Sequence, residues 1–125
     1  MAIKRLSLVR GDSANYGVTF KRADGSLYNI KNWTVFFTLK EDYTLSDDLA
    51  ALQVIVTAFD DTTSGTSGSA NIPIAPADTT DLNPGQYDFD ISVCTADDEN
   101  YTVLKGKYDL EYDVTRTAGT AGTAA

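Results

Sequence analysis

The sequence predicts an all-β fold, an antiparallel β-sandwich of about seven to eight short strands. Three observations predict it. Apolar residues recur with a period of two almost everywhere, which is the signature of half-buried strands. Turn residues interrupt these runs about every 8–12 positions, the spacing of sandwiches and barrels. No segment with a period of 3.6 is long enough to supply the crossover helices of an α/β fold.

Each element follows from local pattern. Residues 3–10 form a first strand, ended by Gly11-Asp12-Ser13. Tyr16, Val18 and Phe20 then alternate with Gly17, Thr19 and Lys21. Ala23-Asp24-Gly25 is a turn in which Gly25 supplies positive φ, and Leu27 and Ile30 read as buried contacts beyond it. Over residues 33–40, Trp33, Val35, Phe37 and Leu39 form the core row, which leaves Phe36 as a large aromatic on the polar row. Residues 41–50 read as a polar loop with one helical turn at Ser46-Asp47-Asp48-Leu49, capped by Ser46.

Residues 52–59 are apolar on both parities. Leu52, Val54, Val56 and Ala58 share one row, and Ile55 and Phe59 the other. Such a strand is central and covered on both faces, or is partly buried by a partner. Residues 60–69 read as a flexible hairpin loop. Ala70, Ile72 and Ile74 alternate with Asn71 and Pro73, and the proline places this strand at an edge or a bulge. Residues 78–82 suit a short helical turn, followed by a tight turn at Asn83-Pro84-Gly85. Tyr87, Phe89, Ile91 and Val93 mark the core row of one long strand. After a turn over residues 96–100, Leu104, Tyr108, Leu110, Tyr112 and Val114 mark the next, with Gly106 as a bulge. Residues 1–116 are thus one domain, and residues 117–125 a flexible Thr/Gly/Ala-rich tail.

Composition narrows the function. A chain of 125 residues makes one domain and buries roughly two-thirds of its unfolded surface. Ten bases against eighteen acids leave a net charge of −8, which disfavours nucleic acid as a partner. Histidine is absent, so Ser-His and Cys-His nucleophiles, histidine general bases and most zinc sites are excluded. Cys94 is the one cysteine, so no intrachain disulfide forms, and without a histidine to activate it the thiol reads as inert. The apolar runs are far short of a membrane span, and the first residues lack the apolar core of a signal peptide. The expectation is a soluble, cytosolically made, non-enzymatic domain with no cofactor and no membrane partner.

The charge is unevenly distributed. Residues 1–40 carry seven bases and two acids, a net of +5, and residues 41–125 carry three bases and sixteen acids, a net of −13. Either early strands lie beside late ones and the charges pair internally, or two oppositely charged surfaces dock neighbouring molecules. Asp88, Asp90, Asp109, Glu111 and Asp113 fall on the outward rows of the last two strands. If those strands pair, they form an acidic face with Lys105 and Lys107 at one end. That face is either solvated or a docking surface for a basic partner. Asp60-Asp61 and Asp97-Asp98-Glu99 lie in loops, but without the spaced oxygens of an EF-hand calcium site. Paired carboxylates hydrolyse glycosides only within a cleft with sugar-positioning residues, for which a 125-residue sandwich with one tryptophan, in core register, gives little support. Arg10-Gly11-Asp12 spells an adhesion tripeptide that reads better as a strand end. Phe36, Ile55 and Phe59 are apolar side chains on rows that should face water, covered either by the loop over residues 41–50 or by another chain.

Several segments also resemble a known family. Arg10-Gly11-Asp12 with Val18-Thr19-Phe20, then Ala23-Asp24-Gly25-Ser26-Leu27-Tyr28-Asn29-Ile30, resembles a "GD…F…DG…dL" pattern. Asp81-Leu82-Asn83-Pro84-Gly85-Gln86-Tyr87-Asp88-Phe89-Asp90-Ile91 resembles "L-x-x-G-x-Y-x-x-D-I". Thr102-Val103-Leu104-Lys105-Gly106 and Asp113-Val114-Thr115-Arg116 resemble "tl-x-G" and "DVTR". Together they resemble small immunoglobulin-like structural proteins of tailed bacteriophages, similar to the N-terminal domain of the phage baseplate upper protein family. The resemblance implies an immunoglobulin-like β-sandwich without catalytic residues, mounted on a virion in several copies and assembled in the host cytoplasm. Its expected partners are other virion proteins and copies of itself, with capsid decoration or a neck, tail or baseplate adaptor as the place. The alternative is a carbohydrate- or host-surface-binding adhesion module, for which Tyr28, Tyr43 and Tyr101 near loops would supply the sugar-stacking platform.

Overall fold

A computed structural model of the chain describes residues 2–57 and 68–114, with side chains from Arg5 onward. Seven strands are described: β1 (Ala2–Val9), β2 (Ala14–Thr19), β3 (Thr34–Lys40), β4 (Leu52–Val56), β5 (Ser69–Ile74), β6 (Gly85–Cys94) and β7 (Asn100–Glu111). A 3-10 turn, Asp47–Leu49, follows β3, and a single helical turn, α1 (Pro76–Thr79), follows β5. The all-β expectation holds. Phe59, the loop over residues 60–67 and the tail over residues 117–125 lie outside the described residues.

The strands form two sheets, one of five strands in the order β1-β7-β6-β3-β4 and one of two, β2-β5. The period of two explains how they meet. Along β3, Val35, Phe37 and Leu39 are buried, and along β6 so are Tyr87, Phe89, Ile91 and Val93. The small sheet contributes Ala70, Ile72 and Ile74 to the same core, with Phe20 and Ile30 from the adjoining loop. Rings lock the two layers together: Tyr16 of β2 stacks on Phe37 at 5.9 Å, and Phe37 and Phe89 both meet Tyr108 of β7 edge-on. The hydroxyls of Tyr16 and Tyr108 hydrogen-bond at 2.7 Å, so the polar tips of both rings are satisfied inside an otherwise apolar layer. Burial and this bond together raise the Tyr108 pKa.

Several details depart from the sequence-based expectation. β1 pairs with β7 in parallel, from Ala2 opposite Leu104 to Val9 opposite Glu111, so the large sheet is mixed and not wholly antiparallel. β4 is an edge strand rather than a central one, and Ile55 is 55% exposed there. β4 and β5 belong to different sheets, so they are not the two arms of a hairpin. The irregularity in the β6–β7 ladder falls between Ile91 and Ser92, opposite Leu104 and Thr102, which makes Val103 the extra residue; Gly106 sits in regular register opposite Phe89. The helical turn begins at Pro76, earlier than expected, because proline suits the first position and the Asp78 carboxylate accepts the Ala75 N–H at 2.8 Å. Ser46 precedes the 3-10 turn as expected, but its side chain makes no cap bond.

Three of the quoted motif segments meet at one end of the core. Arg10 donates from Nε to Asp113 at 2.9 Å and from Nη1 to the Leu82 carbonyl at 3.1 Å. The Gly11 N–H donates to the buried Thr79 hydroxyl at 2.8 Å, and the Tyr87 hydroxyl reaches back to the Asn83 carbonyl at 2.5 Å. Three sequence-distant pieces, residues 10–11, residues 79–87 and Asp113, are thus clasped by one guanidinium, one backbone amide and one tyrosine hydroxyl.

A candidate binding groove on the outer sheet face

The cross-strand register dictates what the outer face of the large sheet presents. One row across the strands reads Ile55, Phe36, Ser92 and Thr102. The next reads Gln53, Thr38, Asp90 and Lys105, and the third Lys40, Asp88, Lys107 and Arg5. A fourth holds Gln86, Asp109 and Ser7. Polar and apolar ends therefore share one face, with Phe36 and Ile55 at the apolar end.

This face is not a bare acidic surface. Lys107 stands opposite Asp88 and pairs with it, rather than lying at one end of an acidic patch. Arg5 holds Asp109 through Nε at 2.6 Å and Nη2 at 3.2 Å. Arg10 holds Asp113, and Lys40 holds Asp47 at 2.9 Å. Bases of the first third thus pair with acids of the remainder, in line with internal pairing of the divided charge. The extra residue Val103 sets this pairing: the ladder begins with Cys94 opposite Asn100, and the shift past Ser92 brings Lys107 opposite Asp88. Glu111 is exposed on β7, opposite Val9 of β1.

The three middle strands and the loop after β3 enclose a groove of about 940 Å³. Its floor carries Thr38, Asp90 and Ser92, and its walls Lys40, Asp88, Lys105 and Lys107. Gln53 donates to the Thr38 hydroxyl at 3.1 Å. The Tyr43 N–H donates to Asp88 at 2.9 Å, which pins the loop to the groove wall and leaves the Tyr43 ring 76% exposed. Tyr101, 52% exposed, borders the other end from the core side of the sheet, opposite the buried Val93, and donates to Glu99 at 3.2 Å. Asp90 differs from its neighbours. It is half-buried and makes no hydrogen bond or ion pair among the described residues. Burial raises its pKa, against the attraction of Lys40, and Asp47 adds to the rise.

A second hollow of about 820 Å³ opens at the loop end of the core, beneath the turn between β6 and β7. Trp33 packs there between Phe20 and Tyr28, and Arg22 lies over the Tyr28 ring at 4.3 Å. Of the three candidate tyrosines, Tyr28 is therefore packed, whereas Tyr43 and Tyr101 are open. Sequence reading placed all three near loops but missed that the sheet separates them: Tyr101 stands opposite the buried Val93 and lines the hollow with Tyr28, whereas Tyr43 lies over the outer face. Among the described residues, no group of three or more carboxylate or cysteine side chains is placed to hold a metal ion, and no helix is long and apolar enough to cross a membrane. The chain matches no known family, and no curated protein is similar to it.

Proposed function

We propose that the two sheets form an immunoglobulin-like β-sandwich, and that the chain is a non-enzymatic structural protein of a tailed phage virion. One observation carries this reading: three of the segments that resemble the phage proteins meet in the clasp at one end of the core. Arg10 joins the end of β1 to Leu82 and Asp113, within three of those segments. The Tyr87 bond to Asn83 lies where the chain crosses between the sheets, the place of the tyrosine corner in immunoglobulin-like domains. A motif spent on rigidity suits a mounting block better than a catalyst. Attachment then falls to free edges and loop ends, including β4 with Phe36 and Ile55 beside it.

In this role the protein assembles in the host cytoplasm and joins other virion proteins in several copies. It acts as a capsid decoration or as a neck, tail or baseplate adaptor. Densitometry of purified particles against the major capsid protein tests the reading. A copy number near that of the capsid protein indicates decoration, and a small symmetric number indicates an adaptor. Particles that lack the chain altogether refute the virion role.

A further inference from the structure

From the hollow beneath the β6–β7 turn we infer a site for a small neutral sugar of one or two rings. This goes beyond the structural role and does not depend on it. The first argument is how the hollow arises. The ladder of the small sheet ends with Thr19 opposite Ser69, and the core rows of the large sheet run on past it. Phe20 follows β2, Trp33 precedes β3, and Tyr101 of β7 stands opposite the buried Val93 of β6. All four line the hollow, and among the described residues no strand covers them there. Phe20 and Val93 are buried and close the floor, whereas Tyr101 is 52% exposed and offers its ring. The volume of about 820 Å³ lies within the about 300–1,000 Å³ that ligand pockets occupy.

The second argument is the polar groups. Among the described residues, the Trp33 indole N–H and the Tyr28 hydroxyl make no hydrogen bond. Both residues are half-buried, and no buried side-chain nitrogen or oxygen lacks a partner, so these two groups reach solvent. Lys21, from the loop after β2, and Asp97, from the β6–β7 turn, also line the hollow; both are exposed and make no side-chain bond among the described residues. The rings beside these groups are held in place. Glu99 accepts from the Tyr101 hydroxyl, and Arg22, which lies over Tyr28, donates to the Leu27 carbonyl at 2.9 Å. The third argument is charge. Lys21, Arg22 and Lys31 on the lining stand against Asp97 and Glu99, so the charges nearly cancel. A polyanion finds little net field there. Mixed donors and acceptors instead complement sugar hydroxyls, each of which both gives and takes a hydrogen bond. The aromatic wall supplies apolar contact for the C–H face of the ring.

Trp33 is the one tryptophan of the chain, so its fluorescence reports on this hollow. The test titrates the full, isotopically labelled chain with maltose, cellobiose, lactose and chitobiose, each to about 10 mM, enough to fill a site of millimolar Kd. At least one is expected to change the Trp33 emission saturably and to shift the backbone amide signals of Lys21, Tyr28, Asp97 and Tyr101. Tyr101→Ala is expected to weaken that binding at least tenfold, and Asp97→Asn at least threefold, each with an unchanged circular dichroism spectrum. Both positions are exposed, so neither change opens the core. Tyr43→Ala, over the outer sheet face, is expected to leave the affinity unchanged. Silence of both signals with all four sugars overturns the inference. So does full affinity in Tyr101→Ala or in Asp97→Asn, or a loss in Tyr43→Ala as large as that in Tyr101→Ala. A response to inorganic phosphate or glucuronate where the neutral sugars give none would identify an anion site, and would equally overturn it.

Discussion

Replacing Arg10 with methionine keeps most of the side-chain stem and removes the guanidinium. The Asp113 carboxylate, with only 12% of its side chain exposed, then loses the Arg10 cation, and the Leu82 carbonyl loses a donor. Breaking a buried pair by removing one partner costs about 3–5 kcal/mol. The pair is buried on both sides but not sealed, so the lower value applies, about 3 kcal/mol. Unfolding entropy near 2.1 cal/mol/K per residue over 125 residues is about 0.26 kcal/mol/K, so Tm should fall by about 11 °C. Arg5→Met is the internal control. Arg5 also grips a carboxylate with two nitrogens, but its side chain is 65% exposed. Exposed pairs contribute about 0.2–1 kcal/mol, so Tm should fall by less than about 4 °C. Differential scanning calorimetry in low and high salt separates the two, because screening should weaken the Arg5 effect and spare that of Arg10. The double variant Arg10→Met/Asp113→Asn should recover part of the loss, since the half of the pair left behind is then uncharged. An Arg10→Met protein within 1 °C of the parent would refute the clasp.

Four further outcomes follow from local geometry. Gly68 has φ +66, and a Cβ there would lie 2.8 Å from the Tyr28 carbonyl oxygen and 3.0 Å from that of Phe20, whereas Gly25 at φ +90 meets nothing. Gly68→Ala should therefore destabilise by clearly more than the about 1–2 kcal/mol expected for Gly25→Ala, as read by urea unfolding. Tyr87→Phe removes the bond to Asn83 and should cost about 1 kcal/mol by the same assay, with no change in m-value. Asp90 has a folded pKa raised by burial, so its ionisation opposes folding; that penalty is absent below its unfolded pKa and fully present above its folded one. Asp90→Asn should thus stabilise the protein at pH 7 and lose the advantage near pH 3, in thermal melts across that range. Phe37→Ala empties the centre of the ring cluster and should cost about 3–5 kcal/mol by urea unfolding.

What the sequence discloses and what it hides have a common cause. Alternation reports which face of a strand is buried, so the core rows of β3, β6 and β7 were legible in Val35, Phe37, Tyr87, Phe89 and Tyr108. Alternation is blind to strand direction and to which sheet a strand joins. Hence the parallel β1–β7 ladder and the separation of β4 from β5 could not be read from it. Gly106 drew attention as a bulge because it lacks a side chain, yet the extra residue is Val103, where β7 shifts register against Ser92. The groove shows the same division. Phe36, Asp88 and Asp90 were singled out by parity, but the pairing of Asp88 with Lys107, and the solitude of Asp90, depend on the hairpin register.

The parallel ladder has a mechanical meaning. β1 and β7 run the same way, so tension applied at Ala2 and at Glu111 pulls the two strands past each other along their length. All eight residue pairs of the ladder then bear the load together, instead of parting one after another as in a peeled hairpin. Rupture under such shear is governed by the unfolding barrier rather than by equilibrium stability. Single-molecule pulling from those two points should show a higher rupture force than pulling across β6 and β7 from their open ends. A domain built this way resists tension applied at its two ends without yielding first at its own seam.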